Sequence, residues 1–313
     1  MQSPSSPPDQ SPPDQSSPDL SPPDPQWTIL KILQWTTSYF KSHHIDSPRL
    51  TAEILLAHIL GIKRIDLYLR FDQPLSQEEL GGFKALIKRR LNREPVAFII
   101  GSKEFWGIDF DVTQDVLVPR PETEFLVEAA LKQIPDALMS SSQRIVDIGT
   151  GSGAIIVSLA VNRPGHYFFA SDISEKAIKI AVKNAEKNGV KDNISFFVAE
   201  LFSSLQENSE KFDLILSNPP YIAGSQIAEL EPEVSKFEPL TALDGGVDGL
   251  DIIRNILQTA PVYLRQKGIL MLEIGYDQRA AVEQMGIKSG HYSNVEFIQD
   301  YAGHDRVVVM RKS

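Results

Sequence analysis

The chain of 313 residues is long enough for one well-buried domain and a smaller one, and its 42% hydrophobic and 23% charged residues are ordinary for a globular protein. It contains no cysteine, which excludes disulfides, thiolate metal sites and cysteine nucleophiles and fits a reducing compartment. The net charge of −10 disfavours a nucleic-acid partner, and no apolar run approaches the roughly 20 residues that span a bilayer. We therefore expect a cytoplasmic protein with no metal centre and no membrane contact.

Residues 1–26 differ in composition from the rest of the chain. They consist almost entirely of Ser, Pro, Asp and Gln, and Ser-Pro-Pro-Asp occurs at 6–9, 11–14 and 21–24. Such a segment has little apolar surface to bury, and it lacks the features of signal and transit peptides. We predict a disordered tail with a preference for polyproline conformation.

Residues 27–95 have helical periodicity and predict a small helical domain. One apolar stripe recurs at i, i+4 and i+7 and is widened by two further residues: Leu50, Ile54, Ala57, Leu55 and Ile59. Gly61 is expected to end that helix. A second helix is predicted to begin at the Ser76 cap, with Glu79 completing a capping box.

The second predicted helix has an apolar face and a basic one. The apolar face comprises Leu80, Phe83, Ile87 and Leu91. The basic residues away from that face are Lys84, Lys88, Arg89 and Arg90. Such a run is usually a solvated surface, and a contact with a partner is the alternative interpretation.

After the helical segment, residues 96–118 read as extended chain, with Gly101 and Gly107 as turn points, and predict a β-hairpin linker. The remainder, 119–313, alternates short apolar strands with helices. The strands are predicted at 144–148, 166–171, 194–199, 212–217 and 268–274. This alternation predicts an α/β domain with a parallel sheet covered by helices on both faces. Two further runs, 295–300 and 306–311, have no helix between them and are expected to pair antiparallel at one edge.

A glycine loop follows the first of these strands. The segment 144–153 ends in Gly149-Thr150-Gly151-Ser152-Gly153, and a helical run begins at Ala154. The glycines permit a sharp turn and close approach of a ligand to the backbone. The spacing is G-x-G-x-G, whereas a dinucleotide fingerprint requires G-x-G-x-x-G, so a nicotinamide dinucleotide is disfavoured as the ligand.

An acidic residue ends the next strand. Asp172 lies 19 residues after Gly153, at a position where a carboxylate accepts hydrogen bonds from the ribose hydroxyls of an adenosine-type ligand. The alternative is that Asp172 only caps the helix that begins near Ser174. The following strand ends at Glu200 and Leu201, which we expect to flank an adenine.

The fourth strand leads directly into Asn218-Pro219-Pro220-Tyr221. Ligands of a doubly wound sheet lie at the carboxyl ends of its strands, so this turn is expected beside the glycine loop. The two prolines fix φ and leave rigid carbonyls as acceptors. The alternative is an ordinary turn after a strand.

This turn suits a substrate with a planar nitrogen, which is a poor nucleophile because its lone pair is delocalised. Hydrogen bonds from its two N–H groups to the Asn218 side-chain oxygen and the Pro219 carbonyl would hold the nitrogen in line with a sulfonium methyl and favour the developing positive charge. Tyr221 is expected to present a flat face to the substrate group. We predict Asn218, Pro219 and Tyr221 as catalytic residues.

With these features the sequence resembles the HemK/PrmC family of release factor glutamine methyltransferases. Besides Asn218–Tyr221, the similarity is carried in order by Arg93-Glu-Pro, Gly101, Phe105-Trp-Gly, Val118-Pro-Arg-Pro-Glu-Thr-Glu124, Asp147-Ile-Gly-Thr-Gly-Ser-Gly153, Phe237-Glu-Pro-Leu-Thr-Ala-Leu-Asp-Gly-Gly246, Leu272-Glu-Ile-Gly275 and Gly303-His-Asp-Arg306. These blocks cover roughly residues 27–312. Some relatives have Asp-Trp where this chain has Glu200-Leu201.

The resemblance implies a class I methyltransferase domain with a seven-stranded, mostly parallel sheet after an N-terminal helical domain. It implies S-adenosylmethionine as cofactor, contacted by Gly149, Thr150, Gly151, Ser152, Gly153 and Asp172. From their positions at the ends of their strands, we also expect Leu201 and Asn218 to contact the cofactor. It also implies a class 1 peptide chain release factor as protein partner, with the glutamine of its Gly-Gly-Gln loop bound by Asn218, Pro219, Pro220 and Tyr221.

Several alternatives remain open at this point. A ribosomal-protein glutamine methyltransferase is a close one. A DNA or RNA amino-methyltransferase uses a related turn, but the acidic charge and the absence of an obvious base-reading domain disfavour it. A catalytically silent binding module is disfavoured because every motif residue is present.

Overall fold

The computed structural model describes residues 26–137, 141–208 and 210–313. These residues divide into two compact units, with the boundary between Ile99 and Ile100. The predicted disordered tail lies, apart from Gln26, outside the described residues. No helix within the described ranges combines the length and apolar character needed to cross a lipid bilayer.

The first unit is helical. Its helices are α1 (Ile29–Ser42), α2 (Pro48–Leu60), α3 (Arg64–Leu69), α4 (Gln77–Leu91) and α5 (Val96–Ile100), the last of which ends at the boundary. The predicted caps are present: Gly61 ends α2 in the left-handed conformation, and Ser76 and Glu79 form a reciprocal capping box at α4. The centre of the unit is apolar, with Phe40, Leu55, Leu56, Phe83 and Ile87 fully buried.

The stripe predicted on α2 is wrong in part. Leu50 is 41% exposed, whereas Ala52, Leu55 and Leu56 are fully buried. Helix α2 contacts both α1 and α4, so its buried surface spans two directions and a single i, i+4, i+7 stripe does not describe it.

The prediction that all four basic residues of α4 form a solvated face is also wrong in part. Lys88 is exposed and Lys84 is half-buried, but Arg90 is 4% exposed. Arg89 donates from Nε to Glu94 at 2.8 Å and from its terminal nitrogens to the carbonyls of Phe98 and Ile99. Arg89 therefore holds the chain that follows α4, because its guanidinium satisfies carbonyls that helix α5 leaves without partners.

Residues 96–118 differ from the extended chain predicted for them. Val96–Ile100 forms α5, since Pro95 is well suited to start a helix and its carbonyl accepts hydrogen bonds from Phe98 and Ile99. A hairpin follows, with β1 (Ser102–Phe105) and β2 (Ile108–Asp111) paired antiparallel. Its two turn residues both have positive φ, 53° at Trp106 and 69° at Gly107, as a tight turn between twisted strands requires.

The second unit contains a seven-stranded sheet, as the resemblance implies. Its strands are β3 (Arg144–Ile148), β4 (Tyr167–Asp172), β5 (Ile194–Val198), β6 (Phe212–Ser217), β7 (Leu264–Glu273), β8 (Tyr292–Gln299) and β9 (Asp305–Lys312). The order across the sheet is β5-β4-β3-β6-β7-β9-β8. Strands β3 to β7 are parallel, and β9 pairs antiparallel with both β7 and β8, so the predicted antiparallel edge is confirmed.

Helices cover both faces of this sheet. They are α6 (Glu124–Gln133), α7 (Ala154–Asn162), α8 (Glu175–Lys187), α10 (Asp251–Tyr263) and α11 (Arg279–Ser289). The short helix α9 (Pro232–Ser235) lies between β6 and α10 in the chain and has no buried residue. Short 3-10 turns occupy Pro121–Thr123, Lys191–Asn193, Gly224–Glu229 and Leu240–Ala242. Alternate strand residues enter different cores: Ile145 packs in the cluster under α6 and α7, and Val146 packs in the cluster under α10.

The carboxyl ends of four neighbouring strands lie along one edge of the sheet. These ends are Ile148 of β3, Asp172 of β4, Ser217 of β6 and Glu273 of β7. Strand β3 is followed by β4 on one side and flanked by β6 on the other, so the chain reverses its direction of winding here. Such a point opens a crevice for a ligand in doubly wound sheets.

Candidate active site

A cavity of about 450 Å³ occupies this crevice in the second unit. Its wall includes the glycine loop, the ends of β4 and β5, and the turn after β6. Two further segments contribute to it, one at 115–123 before α6 and one at 239–244, together with Ile252 and Asn255 of α10. The volume is in the range of small-molecule and cofactor sites.

The glycine loop connects β3 to α7 in a conformation that favours glycine. Gly149, Gly151 and Gly153 have φ values of 76°, 56° and 82°. A Cβ atom at Gly153 would also lie 3.1 Å from the Cβ of Ala181 and 3.3 Å from Val157. Gly153 therefore allows α7 to begin close to α8, which brings the N-terminus of α7 to the cavity.

Hydrogen bonds to the ends of β3 and β4 fix the position of the glycine loop. The backbone N–H groups of Gly149 and Thr150 both donate to the Ser171 carbonyl at 2.8 Å. The Thr150 hydroxyl donates to Asp147 at 2.7 Å, and burial raises the pKa of Asp147 to about 7. Four of the five predicted loop positions, Gly149 to Ser152, line the cavity, whereas Gly153 does not and lies at the start of α7.

Asp172 lies at the end of β4 and lines the cavity. One carboxylate oxygen accepts from the Gly151 N–H and the other from the Ser174 N–H, both at 2.9 Å. Burial raises the pKa of Asp172, and these backbone donors oppose the increase. The cap of α8 is Ser174, whose hydroxyl accepts from Ala177, so Asp172 is not the cap. Each carboxylate oxygen retains a second lone pair for a ligand.

The segment after β5 forms another part of the wall. Ala199, Glu200 and Leu201 all line the cavity. Leu201 has a φ of 47°, which an apolar residue rarely adopts, and it is half-buried. This conformation presents an apolar surface where the sequence predicts an adenine.

The turn after β6 reaches the cavity through Asn218, Pro219 and Pro220. Ser217 anchors the strand end, because its hydroxyl donates to the Ile148 carbonyl at 2.6 Å. The Asn218 Nδ2 atom donates to the Thr123 hydroxyl oxygen at 3.1 Å. Since the amide nitrogen is engaged there, the amide oxygen is the atom of Asn218 that remains for a ligand.

Tyr221 is not among the residues that line this cavity. Its ring packs against the core cluster that contains α10, and its hydroxyl lies 3.5 Å from Oε1 of Glu273. Burial raises the pKa of the Tyr221 hydroxyl, so this group is neutral and donates. The structure thus brings Asn218, Pro219 and Pro220 to the cavity and places the Tyr221 ring behind them.

The glycine segment 245–249 supports this turn. A Cβ atom at Gly249 would lie 2.4 Å from the carbonyl oxygen of Tyr221, and one at Gly245 would lie 2.8 Å from that of Pro220. Gln278 donates from Nε2 to the Tyr221 carbonyl at 2.9 Å. The turn is therefore held by close backbone packing that a larger residue at Gly249 would disrupt.

Four residues of the site were not predicted from the sequence: Arg120, Thr123, Glu238 and Glu273. Arg120 and Glu238 form an ion pair in which a single guanidinium nitrogen of Arg120, Nη2, lies 2.7 Å and 2.8 Å from the two carboxylate oxygens of Glu238. Burial raises the pKa of Glu238 to about 7, and Arg120 opposes the increase. All four lie in blocks that carry the family resemblance. An isolated polar residue at the end of an apolar strand, as at Glu273, is the signal that would have identified one of them.

The sequence matches two protein families along its length. The PrmC N-terminal domain matches residues 31–101, and the Methyltransferase small domain matches residues 122–231. Among solved structures, the catalytic domain of hMettl16 in complex with MAT2A 3'UTR hairpin 6 has a TM-score of 0.52 at 18% identity, covering 66% of this chain and 76% of that chain. At this identity, the likeness concerns the fold alone.

Curated relatives span nearly the whole chain. The release factor glutamine methyltransferase of Geobacter sulfurreducens is 43% identical over 90% of this chain and 96% of its own length. The one of Rhodopirellula baltica is 41% identical over 92% and 97%, and the one of Bacillus subtilis is 36% identical over 90% and 96%. At this identity and coverage, the chain belongs to the release factor glutamine methyltransferase family.

Proposed function

We propose that this protein transfers a methyl group from S-adenosylmethionine to the side-chain amide nitrogen of the glutamine in the Gly-Gly-Gln loop of class 1 peptide chain release factors. The observation that carries the proposal is the orientation of Asn218. Its Nδ2 atom is engaged by Thr123, which leaves its oxygen as a hydrogen-bond acceptor at the cavity.

The cavity fits S-adenosylmethionine in size and in the groups that line it. The N-terminus of α7 offers N–H donors, Asp172 offers acceptors for ribose hydroxyls, and Leu201 offers an apolar surface for adenine. The glycine loop, whose own N–H groups are mostly engaged within the protein, lets the ligand approach the backbone closely. When bound, the cofactor supplies an electrophilic methyl group on a sulfonium.

The substrate amide is matched by two acceptors. The Asn218 amide oxygen and the Pro219 carbonyl would each accept one N–H of the glutamine amide, which orients a nitrogen that is otherwise a weak nucleophile. Both acceptors also stabilise positive charge that develops on this nitrogen. The Gly249 contact and the Ser217 anchor keep the acceptors fixed, so little reorganisation is needed during the reaction.

A further part of the proposal concerns the helical segment 27–95, which precedes the hairpin segment 96–118 and the catalytic segment 119–313. A loop glutamine offers few atoms for discrimination, so specificity requires contacts with the rest of the release factor. We assign these contacts to the helical segment, and to Lys84 and Lys88 of α4 in particular, since Arg89 and Arg90 serve the fold of that unit.

The decisive experiment offers the full-length protein S-adenosylmethionine with a labelled methyl group and one of four acceptors. These are an intact release factor, its Gly-Gly-Gln variant with Gln replaced by Ala, a ribosomal protein and DNA. We expect label on the intact release factor alone, with mass spectrometry locating the methyl on the glutamine side-chain nitrogen. Label on the Ala variant, or on DNA alone, would refute the proposal.

A further inference from the structure

A buried glutamate lies directly beside the Asn218 turn. Strands β6 and β7 are parallel, and Ser217 pairs with Leu272, so Asn218, which follows β6, lies beside Glu273, the last residue of β7. Glu273 is 1% exposed. Burying an ionised carboxylate is costly unless an opposite charge or hydrogen bonds compensate for the loss of hydration.

Glu273 contacts both ends of the turn. Its Oε1 atom accepts from the Tyr221 hydroxyl at 3.5 Å. On the other side, side-chain hydrogen bonds from Thr123 and Asn218 lower the pKa of Glu273, which burial raises. Its Oε2 atom is buried and has no hydrogen-bond partner among the described residues. The carboxylate therefore faces the turn through its hydrogen-bonding neighbours, and its second oxygen lacks a well-formed hydrogen bond within the described part of the chain.

The donor and acceptor properties of these groups determine which of them donates each hydrogen bond. The Thr123 oxygen accepts from Asn218 Nδ2, so the Thr123 proton must be donated elsewhere. An ionised carboxylate only accepts, and Glu273 is the acidic group behind both Thr123 and Tyr221. With Glu273 ionised, both hydroxyls donate toward it, and the Asn218 amide has its nitrogen toward Thr123 and its oxygen toward the cavity.

We propose that Glu273, acting through Thr123, is a positioning residue that fixes the Asn218 amide with its oxygen toward the substrate and requires an ionised carboxylate to do so. This inference rests on the proposed function of Asn218 as an acceptor for the substrate amide. The negative charge also polarises the Asn218 amide, which strengthens its oxygen as an acceptor for a nitrogen that becomes positive.

Other charged groups near Glu273 set the pH at which it ionises. Burial raises the pKa of Glu273 to about 7, Arg306 of β9 lowers it, and Glu122 of the 3-10 turn raises it. Tyr221 remains neutral, because burial raises the pKa of its hydroxyl. A role for the ionised form therefore predicts that kcat rises as the pH increases through about 7.

The test uses the full-length protein with S-adenosylmethionine and an intact release factor, measuring kcat and KM from about pH 6 to about pH 9. Thr123→Val removes the hydroxyl and keeps the shape of the side chain, and Thr123→Ser keeps the hydroxyl. Glu273→Gln removes the charge. Thr36→Val is the matched control, since Thr36 is fully buried in the other unit and its hydroxyl has no partner among the described residues.

We expect Thr123→Val to lower kcat about 10- to 100-fold, the scale for loss of a group that orients a functional side chain, while the Kd for S-adenosylmethionine changes less than about twofold. Thr123→Ser should turn over at least about tenfold faster than Thr123→Val. Glu273→Gln should lower kcat and abolish its increase with pH near 7. Thr36→Val should keep the wild-type kcat and pH profile.

Wild-type kcat in Thr123→Val overturns the inference, and so does a wild-type pH profile in a folded Glu273→Gln protein. If Glu273→Gln does not fold, as judged by circular dichroism, the comparison of the two Thr123 variants decides. Absence of methylation of the release factor by the wild-type protein would refute the proposed function itself. Normal wild-type activity with unchanged variants refutes only the positioning role.

Discussion

Arg120 and Glu238 are separated by 118 residues in the chain and form an ion pair at the wall of the cavity, in which one guanidinium nitrogen contacts both carboxylate oxygens. The Glu238 side chain is 1% exposed and the Arg120 side chain is 33% exposed. Glu238 is followed directly by Pro239–Ala242, which line the cavity. The pair therefore ties the segment before α6 to the segment that forms the opposite part of the wall.

The first prediction concerns this pair. Replacing Arg120 by Met leaves a buried carboxylate without its cation, and we expect a loss of about 1–3 kcal/mol in the free energy of unfolding at neutral pH. Glu238→Gln should have a similar effect. The double variant should lose less than the sum of the two single losses, since the groups are in contact. Additive losses in chemical denaturation would contradict a coupling between them.

The second prediction concerns the substrate amide. Asn218→Ala should lower kcat roughly 10²- to 10³-fold, because one preorganised acceptor is removed from the transition state. The Kd for S-adenosylmethionine, measured by calorimetry, should remain near the wild-type value. Asn294→Ala, at an exposed residue of β8, is a control for the substitution itself. A tenfold or smaller decrease in kcat for Asn218→Ala would contradict the assigned role.

The third prediction concerns the cofactor. Asp172→Ala should weaken binding of S-adenosylmethionine by about 2–3 kcal/mol, the range for hydrogen bonds to a charged group. Part of this loss will come from the glycine loop, because Gly151 donates to Asp172. Asp172→Asn keeps one acceptor oxygen and should lose less. Calorimetric titration that gives wild-type affinity in a folded Asp172→Ala protein would contradict the assignment.

The fourth prediction concerns docking of the release factor. Lys84→Glu combined with Lys88→Glu should lower kcat/KM for the intact release factor about tenfold, since reversed charges oppose association. Activity on a short loop peptide should be unchanged. The double reversal of Lys31 and Lys41 on α1 is the matched control for the change in net charge. An equal decrease in activity on the intact release factor and on the loop peptide would exclude a docking role for Lys84 and Lys88.

The fifth prediction concerns stability against pH. Burial raises the pKa values of Asp147, Glu238 and Glu273 to about 7 in the folded protein, whereas those groups ionise near pH 4 when unfolded. The folded state therefore binds more protons between these values, and stability falls as the pH increases from about 4 through about 7. Groups whose pKa values are lowered in the folded protein, such as Glu53 and Asp111, change the stability at more acidic pH.

The melting temperature should accordingly be higher at about pH 5.5 than at about pH 8. Asp147→Asn removes one of the three groups, so its melting temperature should differ less between these two pH values. This comparison uses only the difference in melting temperature between the two pH values, so a general destabilisation by the substitution does not affect it. A melting temperature of the wild-type protein that increases over this range would contradict the prediction.

Much of the site was predictable because its main parts are local in sequence. The glycine loop, Asp172 and Asn218 each follow an apolar strand directly, and in a parallel sheet the carboxyl ends of the strands meet at one edge. The periodicity of the chain therefore determined which segments are strands and which turns share the cavity. The same reasoning predicted the antiparallel edge, since β8 and β9 have no helix between them.

The tertiary structure alone decided how the side chains of these segments are held. The Thr123 hydroxyl that orients Asn218 lies 95 residues earlier in the chain, and Glu238 lies 118 residues after Arg120. It also decided that the Tyr221 ring faces a core cluster and that Arg89 binds Glu94 and nearby carbonyls. Hydrophobic periodicity specifies which face of an element is buried, but the partner of a buried polar group depends on which elements become neighbours after folding.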